Sequence, residues 1–400
     1  MDKRHLFLKH VAQTSGMPLM LDVKSAEGMF IFSHSGKKYI DLNSGISVSS
    51  LGHRHPAIIN AIKEQCDQFL HTMVYGEHLQ SPQVKYATTL IKELDNGLDS
   101  VYFVMTGSEA VEGALKLARK HTGRYEIMSC ANAYHGSTMA AESLRSDTSF
   151  TQAFLPCIPG IRHIDFNDEK QLEKISHKTA AVILEPVQAE AGVLVPTDNY
   201  LKKLRARCDA TGTLLILDEI QTGFGRTGHL FAHKKYDIVP DILLISKSMG
   251  GGMPVGAFVA KKEIMHSLST DPALGHITTF GGHPVSCAAA LAMLETLKKE
   301  SIIDSVLEKE ALFKTLLVHP IIKEVRSSGL MMAVELTKRK YLKHVVTQSF
   351  ELGALVDYFL FNNRSFRLAP PLIISNEEIR MACKILLQAM DYAFDKYSRK

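Results

Sequence analysis

At 400 residues the chain is long enough for two or three folding units around a substantial core. Hydrophobic residues at 46% and charged residues at 22% place it with globular proteins, and a formal charge of +4 with no dense basic cluster excludes a nucleic-acid partner. Six scattered cysteines without CxxC spacing exclude a disulfide framework and a zinc site, and no apolar stretch is long enough for a signal peptide or a membrane span. A cytoplasmic protein is expected.

Residues 1–27 are mixed. Gly28 to Phe32 and Lys38 to Leu42 alternate like a hairpin around Ser35-Gly36. Asn43-Ser44-Gly45 opens a loop reaching Gly52-His53-Arg54-His55-Pro56, whose HxH beside a proline reads as loop packing, with no metal expected. Ala57 to Leu70 carries helical periodicity. Val101 to Met105 reads as a short strand. Thr106-Gly107-Ser108-Glu109 follows, and Ala110 to Lys120 favours a helix with Val111, Ala114, Leu115 and Ala118 on one face. Thr106 and Glu109 suit a capping box. Small residues at the same helix start also let an anion reach its free amides and the positive end of its dipole. No Gly-Lys-Ser/Thr follows, so this is not a Walker A loop.

Glu126 to Cys130 is another strand, ending near Tyr134-His135-Gly136-Ser137, where the tyrosine either stacks on a flat ring or packs into the core. Ala180 to Leu184 leads into Glu185-Pro186-Val187-Gln188, with Glu190 and Gly192 close behind. Tyr200 to Ala210 reads as an amphipathic helix. The buried run Leu214-Leu215-Ile216-Leu217 delivers Asp218, and Ile242-Leu243-Leu244-Ile245 delivers Ser246 and Lys247. Pro254 to Ala260 is an apolar strand, and Thr278-Thr279-Phe280-Gly281-Gly282 is a polar turn. Ser286 is expected to cap the helix Cys287 to Lys299. Beyond residue 300, charged helices alternate with short strands such as Met331 to Leu336, and Ser375 with Glu378 caps the last helix.

The alternation of strands and helices predicts an α/β fold with a mostly parallel sheet. We expect an N-terminal segment, 1–50, that joins a small domain. A large domain should span 51–299 and a smaller α+β domain 300–400. An acid and a lysine at the ends of two neighbouring buried strands face the crevice where open α/β sheets bind ligands. That pairing suits pyridoxal 5'-phosphate (PLP), because a lysine amine forms a Schiff base with its aldehyde while a carboxylate holds a proton on its pyridine nitrogen. A P-loop ATPase would also account for Leu-Ile-Leu-Asp-Glu, but the chain has no GxxxxGK[S/T].

Eight stretches in order resemble the class III (subgroup II) PLP-dependent aminotransferases of fold type I, the ornithine, acetylornithine and 4-aminobutyrate aminotransferase group. They are Gly52-His53-Arg54-His55-Pro56, Thr106-Gly107-Ser108-Glu109-Ala110, Tyr134-His135-Gly136, Glu185-Pro186-Val187-Gln188, Asp218-Glu219-Ile220-Gln221-Thr222-Gly223, Ser246-Lys247, Thr279-Phe280-Gly281-Gly282 and Arg367-Leu368-Ala369-Pro370-Pro371-Leu372. The resemblance implies transfer of an amino group from an ω-amino acid or amine to 2-oxoglutarate or pyruvate in a ping-pong cycle. It implies that Lys247 bonds the cofactor and moves the proton, Asp218 faces the pyridine nitrogen and Gln221 the phenolic oxygen. Gly107 and Ser108 would bind the phosphate, Tyr134 would stack on the ring, and Glu185 would line the pocket. Thr279 would reach the phosphate of a neighbouring subunit, making a homodimer part of the site. Arg367 would bind the oxo acid's carboxylate, with Glu190 pairing to it when the substrate lacks one there. A decarboxylase, racemase or aminomutase on the same scaffold is the alternative reaction, and a non-catalytic binding module the alternative class.

One position departs from the pattern. Ser137 stands where an arginine commonly follows the aromatic-X-Gly of the stacking loop and grips a distal substrate carboxylate. This argues against ornithine, acetylornithine and 4-aminobutyrate unless Arg145 or Arg54 substitutes, and leaves room for an amine, a diamine or a differently held acid. Ile46, where ornithine enzymes tend to have a tyrosine, also argues against ornithine.

Overall fold

The computed structural model describes residues 2–197 and 199–398. A seven-stranded sheet forms its centre, in the spatial order Ser100–Val104, Gly256–Ala260, Ile242–Ile245, Leu214–Asp218, Thr179–Leu184, Glu126–Cys130 and Ile161–Ile164. The strands are mutually parallel except Gly256–Ala260, which runs against both of its neighbours. Thr179–Leu184 and Ile242–Ile245 are buried along their whole length, which explains why their sequences are unbroken runs rather than alternating ones. Alternate residues feed two separate cores. Val182, Leu184, Leu215, Leu217, Leu243 and Ile245 pack on one face; Ala181, Ile183, Ile216, Ile242 and Leu244 pack on the other.

The helix Gly107–Thr122 covers the second face with Ala110, Val111, Ala114 and Ala118. It lies so close that a Cβ on Gly113 would meet the Phe258 ring at 2.3 Å. Thr106 Oγ1 accepts from the Glu109 amide at 3.2 Å as expected, but Glu109 Oε2 reaches one residue further back, accepting from Met105 N at 2.7 Å. The expected cap at Ser286 is corrected: the helix runs Pro284–Lys299 from His283, and Ser286 lies inside it. Proline supplies the helical φ and has no N–H to satisfy, so the helix starts there without a side-chain cap. Ser375 and Glu378 form a reciprocal box at the last helix, at 2.8 and 3.2 Å.

Two smaller sheets flank the centre. Val23–Glu27, Phe30–Ser33 and Lys38–Asp41 form an antiparallel meander, extended in parallel by Ala354–Leu355 far along the chain. Ile322–Ser328, Met331–Leu336, Ser365–Leu368 and Asp357–Tyr358 form an antiparallel sheet, with Arg367 opposite Ala333 and Asp357. Among the described residues, no helix is long and apolar enough to cross a membrane, and no cluster of His, Cys, Asp or Glu is set to hold a metal ion.

Candidate active site

The central sheet ends in one cleft of about 160 Å³, lined by Gly107, Ser108, Tyr134, Glu185, Asp218 and Lys247 among others. Asp218 is the last residue of its strand and Lys247 follows the adjacent, parallel one, so the topology alone brings acid and lysine to the same sheet edge. Asp218 is buried and held from two sides. His135 Nδ1–H donates to its Oδ2 at 2.7 Å, and the Ile220 amide donates to its Oδ1 at 3.0 Å. Burial alone would lower the His135 imidazole, but the hydrogen bond and charge of Asp218 outweigh it and hold the imidazole above its ordinary value. The couple places a fixed anion, backed by an imidazole, in the cleft wall.

Lys247 sits at φ 49°, a left-handed conformation that costs a residue with a Cβ of the order of 1 kcal/mol and points to functional constraint. Its Nζ donates to Gln221 Oε1 at 3.3 Å. Burial, then the nearby Arg367 guanidinium, depress its pKa, while Glu190, Asp218 and Glu185 pull the other way. A lysine so placed gives up its proton more easily than one in water, which favours the nucleophilic amine. Gln221 is itself anchored, its Nε2 donating to Ser47 Oγ at 3.4 Å. Ser47 ends a turn in which Ser44, Gly45, Ile46 and Ser47 all have φ between 47° and 63°, one turn of left-handed helix in which only Gly45 is free of a Cβ penalty.

Glu185 continues the wall after its strand. Its Oε1 accepts from the Ala189 amide at 3.1 Å, whereas Oε2 is buried without a hydrogen-bond partner. Burial pushes this carboxyl up to about 7; His135 opposes the rise, and Asp218 and Glu190 add to it. Glu190 forms a hydrogen-bonded ion pair with Arg367, and both are buried. Glu190 Oε2 also accepts from Leu360 N at 3.0 Å. The Arg367 guanidinium lies over the Phe359 ring at 4.7 Å, and its Nε has no hydrogen-bond partner.

At the other end of the cleft stands the start of the helix Gly107–Thr122. Three elements converge there with no room for a larger side chain. A Cβ on Gly107 would meet Ile220 Cδ1 at 2.8 Å, and one on Gly136, at φ 128°, would meet Ser108 Oγ at 2.1 Å. The free amides of a long helix, bare of side chains, form an anion cradle. Together with a carboxylate for a pyridinium, a lysine for an aldehyde and the Tyr134 ring, this donor set fits PLP.

The structure thus brings Gly107, Ser108, Tyr134, Glu185, Asp218, Gln221 and Lys247 into one wall, with Glu190 and Arg367 near enough to act on Lys247. Thr279 is exposed and does not line this cleft. Two contributors escape sequence reasoning. His135 was legible only as the middle of Tyr134-His135-Gly136, with nothing to couple it to an aspartate 83 residues away. Ser47 gave no sign at all. It is Arg145, not Arg54, whose guanidinium reaches Ser137.

Comparison with known proteins agrees with this geometry. A family model described as Aminotransferase class-III matches residues 11–390. The chain is similar to the acetylornithine aminotransferase of Methanopyrus kandleri, at 39% identity over 98% of this chain and 99% of that one. It is also similar to the putrescine aminotransferase of Pectobacterium atrosepticum, at 37% identity over 89% of this chain and 78% of that one. Among solved structures, an ornithine aminotransferase from Toxoplasma gondii, described with partial occupancy of PLP at its active site, superimposes with a TM-score of 0.91. That match has 32% identity and covers 98% of this chain and 94% of that chain.

Proposed function

We propose, from the premise that this chain belongs to the class-III aminotransferases, how its residues divide the work of PLP-dependent amino-group transfer. When bound, PLP supplies an aldehyde that takes up an amine and a ring that withdraws electrons from the adjoining carbon. Gly107 and Ser108 hold the phosphate by helix amides and a hydroxyl, and Tyr134 covers the ring. Asp218, fixed by His135 and the Ile220 amide, keeps a proton on the pyridine nitrogen. Gln221 faces the phenolic oxygen. Lys247, whose charged form is disfavoured by burial and by Arg367, would move a proton from the substrate carbon to the coenzyme carbon in the first half of a ping-pong cycle, and in the reverse direction in the second. Glu185 closes the wall beside Tyr134.

The donor is an ω-amino acid or amine, and the acceptor an oxo acid. The observation that carries this reading is the Glu190–Arg367 pair within the electrostatic reach of Lys247. A donor with no carboxylate beside the reacting carbon leaves the pair closed; an oxo acid takes over the Arg367 fork and Glu190 swings aside. The named relatives, an acetylornithine and a putrescine enzyme, support both an acid and a diamine as donors.

A homodimer belongs to the same proposal, with Thr279 completing the phosphate site of the neighbouring subunit. Its support is an exposed apolar surface around that residue. Leu70, Met73, Leu79, Ile277 and Phe280 are all exposed, and a His71–Phe280 ring contact at 5.0 Å joins the two segments. The division into 51–299 as PLP-binding domain, 300–400 as small domain and 1–50 as a segment joining the latter is also proposed, as is a cytoplasmic location. The latter is supported by six cysteines, all free.

The deciding experiment titrates purified protein with PLP and follows the bound-coenzyme absorbance during exposure to ornithine, acetylornithine, 4-aminobutyrate, lysine and simple amines. At least one should convert the coenzyme, and an oxo acid should restore it. Protein that stays colourless with PLP, or that no amine converts, sinks the reading.

A further inference from the structure

We propose that Arg145 is a specificity-determining residue, the anchor for a carboxylate at the end of the substrate remote from the reacting carbon, which selects a dicarboxylic over a monocarboxylic oxo acid. The inference rests on the aminotransferase reading and names the substrate class for the same cleft.

Arg145 follows the short helix Met139–Ser143 and is almost wholly buried, with a relative exposure of 8%. A guanidinium withdrawn this far from water needs well-aligned acceptors. Here they fall short. Nη1 lies 3.2 Å from Glu142 Oε1 without hydrogen-bond alignment, so that Glu142 Oε1 and Arg145 Nε are both buried with no hydrogen-bond partner. Nη2 makes one long bond to Ser137 Oγ, at 3.3 Å. Asp147, the other carboxylate in its field, is committed to capping Ser149. The fork therefore keeps donors for an incoming carboxylate.

Arg145 stands against a residue of the cleft wall. The guanidinium lies over the Tyr134 ring at 4.8 Å and the Phe150 ring at 5.1 Å, and Tyr134 lines the same wall as Lys247. Phe150 meets Phe361 edge-on at 5.9 Å, and the Phe361 amide donates to the Glu190 carbonyl at 3.1 Å. A guanidinium–ring contact, a ring–ring contact and a backbone hydrogen bond thus link Arg145 to Glu190. Arg145 and Arg367 are built alike: each guanidinium is buried, laid over an aromatic ring, paired with one glutamate and left with an unpartnered Nε. Arg367, close enough to depress Lys247, takes the carboxylate beside the reacting carbon. Arg145 takes one farther out, from a position outside the stacking motif, and so makes up for Ser137.

The test uses the full chain loaded with PLP, a saturating donor, and 2-oxoglutarate or pyruvate as acceptor. These share the carboxylate next to the oxo carbon and differ in the far one. The wild type should favour 2-oxoglutarate in kcat/KM. Arg145→Gln should cut that preference about tenfold or more, through KM, as loss of hydrogen bonds to a charged group does; Arg145→Lys should retain part of it. Glu142→Gln, which frees the fork, should lower KM for 2-oxoglutarate, whereas a merely structural pair would weaken both acceptors alike. Unreactive glutarate should compete better than butyrate against the wild type, a readout that needs no variant to fold. A wild type that favours pyruvate, a glutarate no better than butyrate, or equal losses in Arg145→Gln with its coenzyme spectrum intact overturns the assignment and leaves transamination standing. A chain that converts neither acid overturns the reading beneath it.

Discussion

Asp218 has no freedom to leave its post: one oxygen is held by an imidazole and the other by a backbone amide, at the stiff end of a buried strand. Asp218→Asn keeps the shape and removes the charge, so kcat should fall about 100-fold or more while PLP still binds, checked by turnover against coenzyme titration. Glu185 makes a different prediction, for the coenzyme-free protein. Its folded-state pKa of about 7 lies above the ordinary 4.5, so the folded chain holds a proton that the unfolded chain releases. This contribution is complete below about pH 4.5 and is lost as pH rises to about 7, roughly 3 kcal/mol at most. Melting temperature should therefore drop between pH 5 and 7.5 in the wild type and drop less in Glu185→Gln; equal slopes would refute it. Asp218 and Lys247 were legible in the sequence because buried runs announce their own ends. The His135 bond was not, because pairing across a sheet edge leaves no trace in local spacing.

Elements were easiest to read where burial and periodicity agree, as in Glu126–Cys130, and hardest where two start signals compete. At Pro284–Lys299 the serine was the more familiar cap, but the proline two residues earlier had already fixed φ. On the proposed reading, coenzyme retention turns on the start of Gly107–Thr122. Gly136→Ala would drive a methyl into Ser108 and impose φ 128° on a residue with a Cβ, costing about 1–3 kcal/mol of stability and displacing the phosphate cradle. A lower melting temperature together with weaker PLP binding by absorbance titration is expected; lowered melting with unchanged binding would place the cradle elsewhere.

For the whole molecule, the dimer proposal makes a prediction that no single-chain property can mimic. If Thr279 serves the partner's cleft, Lys247→Ala and Thr279→Ala chains, mixed and allowed to exchange, should form hybrids with one intact site and exceed the activity of either variant alone. No gain on mixing would confine the site to one chain. The mostly parallel core followed from sequence pattern, whereas the strand order did not, and neither did the pairing of Ala354–Leu355 with Lys38–Asp41, because a two-residue strand carries no periodicity. That pairing leads directly into the left-handed turn. On one side Ser44 Oγ donates to the Ala369 carbonyl and Ala369 N to that of Leu42, just beyond Arg367; on the other, Ser47 receives Gln221 and Ser248. Four residues thus form a strut between the strand that carries Arg367 and the residues beside Lys247, the groups proposed to bind the acceptor and to react. Slackening the strut should register at both ends at once, so that recognition and reactivity fail in step.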